Sequence, residues 1–296
     1  MWRRLSAGGL LFALTVTGFG ATAFAQRVDK NVVYGMYSGL ALLMDVHYPE
    51  KPNGIGIIFV HGSGWNAPLG WNARPLKDAA TPQPLTAAGY TVFAVNHRTT
   101  SRFQYPAPLE DVQRAVRFMR VNAATYKISP DVIGAFGGSS GGHLVSMLGT
   151  LDSEGISDDP DPVNRVSAKV QAVVAVMAPS DLAKIRTPDG AVAVALLMGG
   201  RPNFEGKRFS VASPVTYVSK DDPPFLLIHG NADPVVPFEQ SQIMETALKG
   251  AGVTVKLIAV EGGTHSLGFG FKPDDPRAPD MFGEAVTWFG RHLKRP

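Results

Sequence analysis

A serine flanked by glycines lies near the middle of the chain, in the run Gly-Gly-Ser-Ser-Gly-Gly at residues 137–142. An apolar, β-branched segment at 132–136 precedes the run, and a helical stretch at 143–151 follows it. A serine on a tight turn between a strand and a helix exposes its hydroxyl, and glycines two residues to either side avoid steric clashes there. The free amides at the start of the helix face any oxygen that becomes negative beside the serine. This placement predicts that Ser139 is a catalytic nucleophile.

Ser140 also satisfies the glycine pattern and is the alternative nucleophile. With Ser139 as the nucleophile, Gly141 and Gly142 both fall where the following helix must pack closely on the strand. Ser140 then supplies the backbone amide that follows the nucleophile. We therefore expect Ser140 to act through its amide only.

Two further residues with the right chemistry lie just past predicted strands. Asp233 follows the apolar segment 225–229, and His265 follows the segment 253–260. A buried carboxylate can hold an imidazole in one tautomer and stabilise its protonated form, as the acid of a serine triad does. The sequence predicts that Asp233 and His265 are the acid and the base. Asp181 is the alternative acid, but it stands one strand too early along the chain.

A glycine-rich turn, His-Gly-Ser-Gly-Trp at residues 61–65, ends another apolar run. Its backbone is open enough to turn amides toward an oxyanion, so it is the expected second half of the oxyanion hole. We interpret His61 as a structural residue. The other histidines that we considered are also expected to be structural: His47, His97, His143 and His292.

These residues need a sheet that brings their loops to one edge. Near-continuous apolar runs alternate with amphipathic stretches such as 109–124, which indicates a doubly wound, mostly parallel α/β sheet. The predicted strands lie at 55–61, 91–96, 132–136, 170–177, 225–229 and 253–260. Residues 32–48 predict an antiparallel pair at the sheet edge. Residues 181–220 are too long for a plain crossover, so they predict a small cap inserted in one domain that spans 26–296.

The N-terminal residues and the overall composition bear on export and on charge. Arg3 and Arg4, an apolar run at 10–19 and a small-residue site at 23–25 predict a signal peptide cleaved before Gln26. An uncleaved anchor is the alternative, but the run is shorter than the ~20 residues that span a bilayer. The expected location is therefore secreted or periplasmic, with no stable membrane anchor. Without Arg3 and Arg4 the formal charge of +3 falls to +1, and no nucleic-acid-binding patch is indicated. The chain contains no cysteine, which excludes disulfides and a thiol nucleophile.

Together these motifs resemble the esterase and lipase branch of the α/β-hydrolases, especially short-chain carboxylesterases related to hormone-sensitive lipase and to feruloyl or acetyl-xylan esterases. The order Ser, Asp, His is the one this fold uses. The resemblance implies that the amides of Ser63, Gly64 and Ser140 form the oxyanion hole, with Trp65 as an alternative donor. Ser63 departs from the usual glycine of the family at its position.

Together with the predicted signal peptide, the resemblance implies an exported enzyme that needs neither metal nor cofactor and hydrolyses short-chain acyl esters through an acyl-enzyme. Its expected partner is a small-molecule or carbohydrate ester. Two alternatives stand beside it: a serine peptidase of the prolyl-oligopeptidase type, and a catalytically silent hydrolase fold used for binding.

Overall fold

A computed structural model of the protein describes residues 27–66, 82–200, 207–266, 270–271 and 275–294. The predicted signal peptide lies outside the described residues. The strands are β1 (Val28–Tyr37), β2 (Leu40–His47), β3 (Gly56–Val60), β4 (Thr91–Val95), β5 (Ile133–Gly138), β6 (Ala172–Val176), β7 (Phe225–Gly230) and β8 (Val255–Val260). The helices are α1 (Gln83–Ala87), α2 (Ala107–Val121), α3 (Ala123–Tyr126), α4 (Ser140–Thr150), α5 (Pro188–Met198), α6 (Glu239–Gly250) and α7 (Met281–His292). No helix in this part of the chain is long and apolar enough to cross a bilayer.

The strands form one eight-stranded sheet in the order β1-β2-β4-β3-β5-β6-β7-β8. Strands β3 to β8 run parallel, whereas β1 and β2 form the antiparallel edge that was predicted. The hairpin begins four residues earlier than expected, because Val28 and Asp29 already pair with His47 and Val46. The predicted fold class is confirmed.

The helices cover both faces of the sheet and bury its apolar strands. Buried side chains form one core cluster with α2, α4 and α6 on one face, and a second cluster with α1 and α7 on the other. Because the central strands are covered on both sides, they are apolar throughout, as a parallel sheet requires. The sheet is therefore a rigid platform whose carboxyl edge carries the loops of interest.

The helix predicted at 109–124 is present but divided. Helix α2 begins at Ala107, since prolines are tolerated in the first turn of a helix. It ends before Asn122, whose side-chain amide donates to the carbonyl of Phe118 at 2.9 Å and so takes a helix acceptor. The chain then restarts as the short helix α3.

The segment predicted as a cap lies between β6 and β7. Its described part contains α5 and three short 3-10 turns, at Leu182–Lys184, Ser210–Ala212 and Pro214–Tyr217. We call residues 181–220 the cap segment. Thr187 donates a hydrogen bond to the carbonyl of Val235, which ties the start of α5 to the loop after β7.

Candidate active site

Ser139 occupies a strained turn between β5 and α4. Its backbone has φ 52° and ψ −124°, a conformation that residues other than glycine rarely adopt. The amide of Ser139 donates to the carbonyl of Val176 at 2.8 Å, which anchors the turn to β6. The turn therefore holds the serine at the carboxyl edge of the sheet.

The flanking glycines are needed for this turn, because their neighbours leave no space for a side chain. A Cβ on Gly137 would meet the carbonyl oxygen of Gly141 at 2.4 Å, and a Cβ on Gly141 would meet that of Val60 at 2.0 Å. Real Cβ atoms do not approach backbone this closely. The close packing of α4 on β3 and β5 thus explains the glycines that marked the site in the sequence.

The structure brings Ser139, His265 and Asp233 together as a hydrogen-bonded series. The hydroxyl oxygen of Ser139 lies 2.9 Å from Nε2 of His265, and Nδ1 of His265 lies 2.6 Å from Oδ2 of Asp233. A carboxylate can only accept, so the His265 proton is on Nδ1 and Nε2 is free to accept from the serine hydroxyl. This tautomer is the one that a general base requires.

Asp233 is fully buried and accepts four N–H groups. Its Oδ1 accepts from the amides of Val235 and Val236 at 2.8 and 2.9 Å, and its Oδ2 faces His265 and also Nε2 of His229 at 3.3 Å. Burial opposes ionisation of this carboxyl group, but the hydrogen bonds from His229 and His265 outweigh it and hold its pKa well below the ordinary value. Asp233 is therefore ionised wherever the protein is folded near neutral pH.

His229 is a residue of the site that the sequence reasoning did not single out. It is fully buried at the end of β7, and its Nε2 also faces the carbonyl of Val236 at 3.0 Å while its Nδ1 lies 2.7 Å from the hydroxyl of Ser241. Because both groups near Nε2 are acceptors, the His229 proton is on Nε2 and the Ser241 hydroxyl donates to Nδ1. Its position four residues before Asp233, in the same motif, was the available signal.

The alternative acid, Asp181, and the first of the histidines interpreted as structural, His61, have other partners. Asp181 caps the first turn of the cap segment, accepting from the amide of Ala183 at 3.1 Å, and it pairs with Lys184. His61 packs its ring edge-on against Phe59 with 4.9 Å between ring centroids, and burial lowers its pKa to about 4. Among the described residues, neither side chain forms a hydrogen bond or an ion pair with Ser139 or His265.

His47, His97 and His292 also lie away from this pair. His47 is on β2 and pairs with Val92 of β4, and His97 faces the backbone carbonyl of Arg98. His292 ends α7, where its ring packs against Trp288. Their placement agrees with a structural interpretation.

The loop after β3, residues 61–66, lies beside the nucleophile turn and is called here the oxyanion loop. A Cβ on Gly62 would lie 2.8 Å from Cβ of Ser139, so the loop backbone approaches the serine directly. The amide of Ser63, a predicted hole donor, donates to the hydroxyl of Ser140 at 2.9 Å. Within the described residues the amides of Gly64 and Ser140 have no hydrogen-bond acceptor. Those two amides are therefore available to an oxyanion. The Ser63 amide can donate to an oxyanion only if it gives up or shares its hydrogen bond to the Ser140 hydroxyl.

The Ser140 hydroxyl thus has a role beyond the one expected from the sequence. The prediction was that Ser140 would contribute its amide only, yet its buried side chain links the start of α4 to the oxyanion loop across 77 positions of sequence. Trp65, the alternative donor, has φ 58°, and its own amide also has no acceptor among the described residues. The indole of Trp65 is buried against α4.

The cap segment lies against the same loop. A Cβ on Gly64 would be 3.6 Å from Cβ of Ala193, so α5 contacts the oxyanion loop through a small side chain.

In the part of the chain that the structure describes, no group of three or more histidine, aspartate or glutamate residues is arranged to hold a metal ion. What the arrangement can do chemically is activate the Ser139 hydroxyl, while the backbone amides of Gly64, Trp65 and Ser140 have no acceptor among the described residues.

Comparison with known proteins places this geometry in a family. The family model BD-FAE matches residues 44–248, which carry the oxyanion loop, the nucleophile turn and Asp233. The chain belongs to the BD-FAE family. Among solved structures, this BD-FAE chain is similar to a truncated form of a carbohydrate esterase from gut microbiota, with a TM-score of 0.75 and 32% identity over 90% of this chain and 95% of that one. The resemblance to α/β-hydrolase esterases is confirmed.

Curated relatives of this BD-FAE chain include esterase LipQ of Mycobacterium tuberculosis, 31% identical over 67% of this chain and 48% of the relative. An acetylxylan esterase of Xylanibacter ruminicola is 28% identical over 95% of this chain and 54% of the relative. The chain spans about half the length of the curated relatives it matches.

Proposed function

We propose that this chain is an exported serine carboxylesterase that hydrolyses short-chain acyl esters, with acetylated or feruloylated carbohydrate as the substrate class. The observation that carries the proposal is the unbroken series from the Ser139 hydroxyl through His265 to the buried Asp233 carboxylate. A fold kept only for binding has no need for a strained serine, a fixed tautomer and a fourfold-bonded acid.

The proposed reaction runs in two halves. The Ser139 oxygen attacks the ester carbonyl while Nε2 of His265 takes its proton, and the Asp233 carboxylate stabilises the imidazolium. The carbonyl oxygen becomes an oxyanion that accepts from the amides of Gly64 and Ser140. The C–O bond to the alcohol then breaks as His265 protonates the leaving oxygen. Water, deprotonated by His265, cleaves the acyl-enzyme, and the acid leaves as Ser139 regains its proton.

An ester rather than a peptide substrate is supported by the relatives, whose names describe an esterase, an acetylxylan esterase and a carbohydrate esterase. The carbohydrate class rests on the acetylxylan and carbohydrate esterases among them. A peptidase remains an outcome of the substrate test below.

A short acyl group is supported by the position of α5. Its contact through Ala193 brings the helix close to Gly64, the oxyanion donor of the proposed reaction. The helix buries Val194, Leu197 and Met198 in the core, and the apolar side chains that it leaves exposed are Val192 and Leu196, at 57% and 40%. They offer no closed apolar wall in which a long chain would be rewarded by about 0.8 kcal/mol per buried methylene.

The test is a substrate panel with a label. A fluorophosphonate should label the protein, and Ser139→Ala should not be labelled. On p-nitrophenyl esters of two to twelve carbons, kcat/KM should fall beyond about four carbons, and acetylated xylo-oligosaccharides should be deacetylated. A steady rise of kcat/KM toward twelve carbons refutes the short-acyl proposal, and turnover of peptides but not esters refutes the esterase proposal.

A further inference from the structure

We propose that His143 is a positioning residue that holds the oxyanion loop in place through the indole of Trp65 and is itself held by the cap segment. This inference rests on the proposed esterase function, since it concerns the same oxyanion hole. It adds a residue that takes no part in proton transfer and does not contact the substrate.

The first step is the geometry around the His143 ring. His143 lies in the first turn of α4, four residues after the nucleophile, and is fully buried. The indole nitrogen of Trp65 lies 3.1 Å from its Nδ1, and the two rings meet edge-on with 5.2 Å between centroids. On the other side, Nε2 of His143 lies 2.6 Å from the carbonyl oxygen of Ala212 in the cap segment.

The partners fix the protonation state of this histidine. An indole nitrogen can only donate, so Nδ1 of His143 accepts from Trp65. A carbonyl can only accept, so the proton is on Nε2 and is donated to Ala212. The ring is therefore neutral and fully satisfied, and it joins three segments that are distant in sequence: the oxyanion loop, α4 and the cap segment.

The contact matters because it fixes the oxyanion loop to the nucleophile helix, whereas most other hydrogen bonds of the loop lie within it or join it to Thr99 and Thr100. Gly64 and Trp65 both have positive φ, at 63° and 58°; glycine adopts this conformation readily, whereas Trp65 is in one that residues with a side chain rarely adopt. The carbonyl of Trp65 accepts from the amide of Thr100 at 3.0 Å, and the Ser63 amide is held by Ser140. Without the indole bond, the Ser63–Ser140 bond is the one remaining described side-chain link between the oxyanion loop and the nucleophile helix, and it lies on the far side of Gly64 from Trp65.

Two substitutions test the roles of the two ring nitrogens of His143 separately. His143→Gln places a donor near the position of Nε2 and removes the acceptor for Trp65. His143→Asn places a side-chain oxygen near the position of Nδ1 and keeps that acceptor. Trp65→Phe removes the indole donor from the other side. All three variants are compared at a temperature well below their measured unfolding midpoints.

The expected result is a change in kcat rather than in KM. A displaced oxyanion donor costs the transition state more than the ground state, so His143→Gln and Trp65→Phe should each lower kcat by about 10- to 100-fold with KM changed by less than about threefold. The second-order rate of fluorophosphonate labelling should fall by the same factor as kcat. His143→Asn should recover most of the loss. In the Trp65→Phe/His143→Gln double variant the losses should not multiply, because both remove one bond.

A second measurement is independent of activity. The indole N–H of Trp65, assigned in a ¹⁵N spectrum by its absence in Trp65→Phe, should exchange with solvent deuterium at least about tenfold faster in His143→Gln than in the wild type, and near the wild-type rate in His143→Asn. Unchanged kcat in a folded His143→Gln, or losses that multiply in the double variant, overturns the inference alone. A wild-type protein that shows neither turnover nor labelling overturns the proposed function and the inference with it, whatever the exchange rates are.

Discussion

Acid should destabilise this protein in part through His143, and the size of the effect follows from its burial. Burial lowers the pKa of His143 from the ordinary value of 6.5 to about 4. Between these two pH values the unfolded chain binds a proton at His143 that the folded protein does not. The free energy of unfolding therefore falls as the pH falls through that window, and above it the histidine is neutral in both states and contributes no pH dependence.

The magnitude can be worked from the same pKa. Each pH unit inside the window costs about 1.4 kcal/mol, and the onset near pH 6.5 is gradual, so His143 alone should cost about 2 kcal/mol between pH 7.5 and pH 5. Burial lowers the pKa of His61 as well, so the wild-type profile has more than one source. The comparison that isolates His143 is the difference between wild type and His143→Gln, which cannot titrate.

The assay is urea unfolding followed by tryptophan fluorescence at several pH values. His143→Gln should be less stable than the wild type at pH 7.5, because it leaves the Trp65 indole without its acceptor. That difference should shrink by about 2 kcal/mol on going to pH 5, and it should stay constant from pH 7.5 to pH 9, which is the internal control. Parallel profiles of the two proteins between pH 7.5 and pH 5 would refute the neutral, doubly bonded histidine.

Three other predictions concern the triad and export. Ser139→Ala should abolish turnover and labelling, while Ser140→Ala, which keeps its amide and loses one hydrogen bond worth about 1 kcal/mol, should cost no more than about tenfold in kcat; the reverse pattern would move the nucleophile by one residue. Asp233→Asn should lower kcat by about 10⁴-fold, as the corresponding change does in a well-studied serine protease, because the imidazole loses its tautomer. If Asp181→Asn were the more damaging at equal stability, the acid would be misassigned. The intact mass of the exported protein should match a chain that begins at Gln26, and a product that retains its first residues would contradict cleavage.

Much of the site could be read from local sequence, because each of its parts ends a strand. Ser139, Asp233 and His265 each follow an apolar run that is a strand in the structure, and parallel strands bring their carboxyl ends to one edge. The glycines around Ser139 had a local cause as well, since a Cβ on Gly137 would meet the carbonyl oxygen of Gly141 four residues later. Periodicity and turn chemistry are properties of short segments, which is why they predicted these elements.

The bonds between segments were decided only by the tertiary structure. Three features depend on which side chains meet across the fold. The Ser63 amide is bonded to the Ser140 hydroxyl, His143 joins Trp65 to Ala212, and His229 adds a further donor to Asp233. The Ser63–Ser140 bond and the two bonds of His143 join residues that are 69 to 78 positions apart.

The amino-acid sequence by itself thus determined the sheet, the turns and the residue types at its carboxyl edge, since these follow from apolar period, glycine and chain order. It did not determine which hydrogen-bonding atoms remain free. A serine or a histidine can donate or accept, and only the neighbours that packing brings to it decide which it does. For that reason the identity of the unengaged amides, and the neutral tautomer of His143, came from the folded structure.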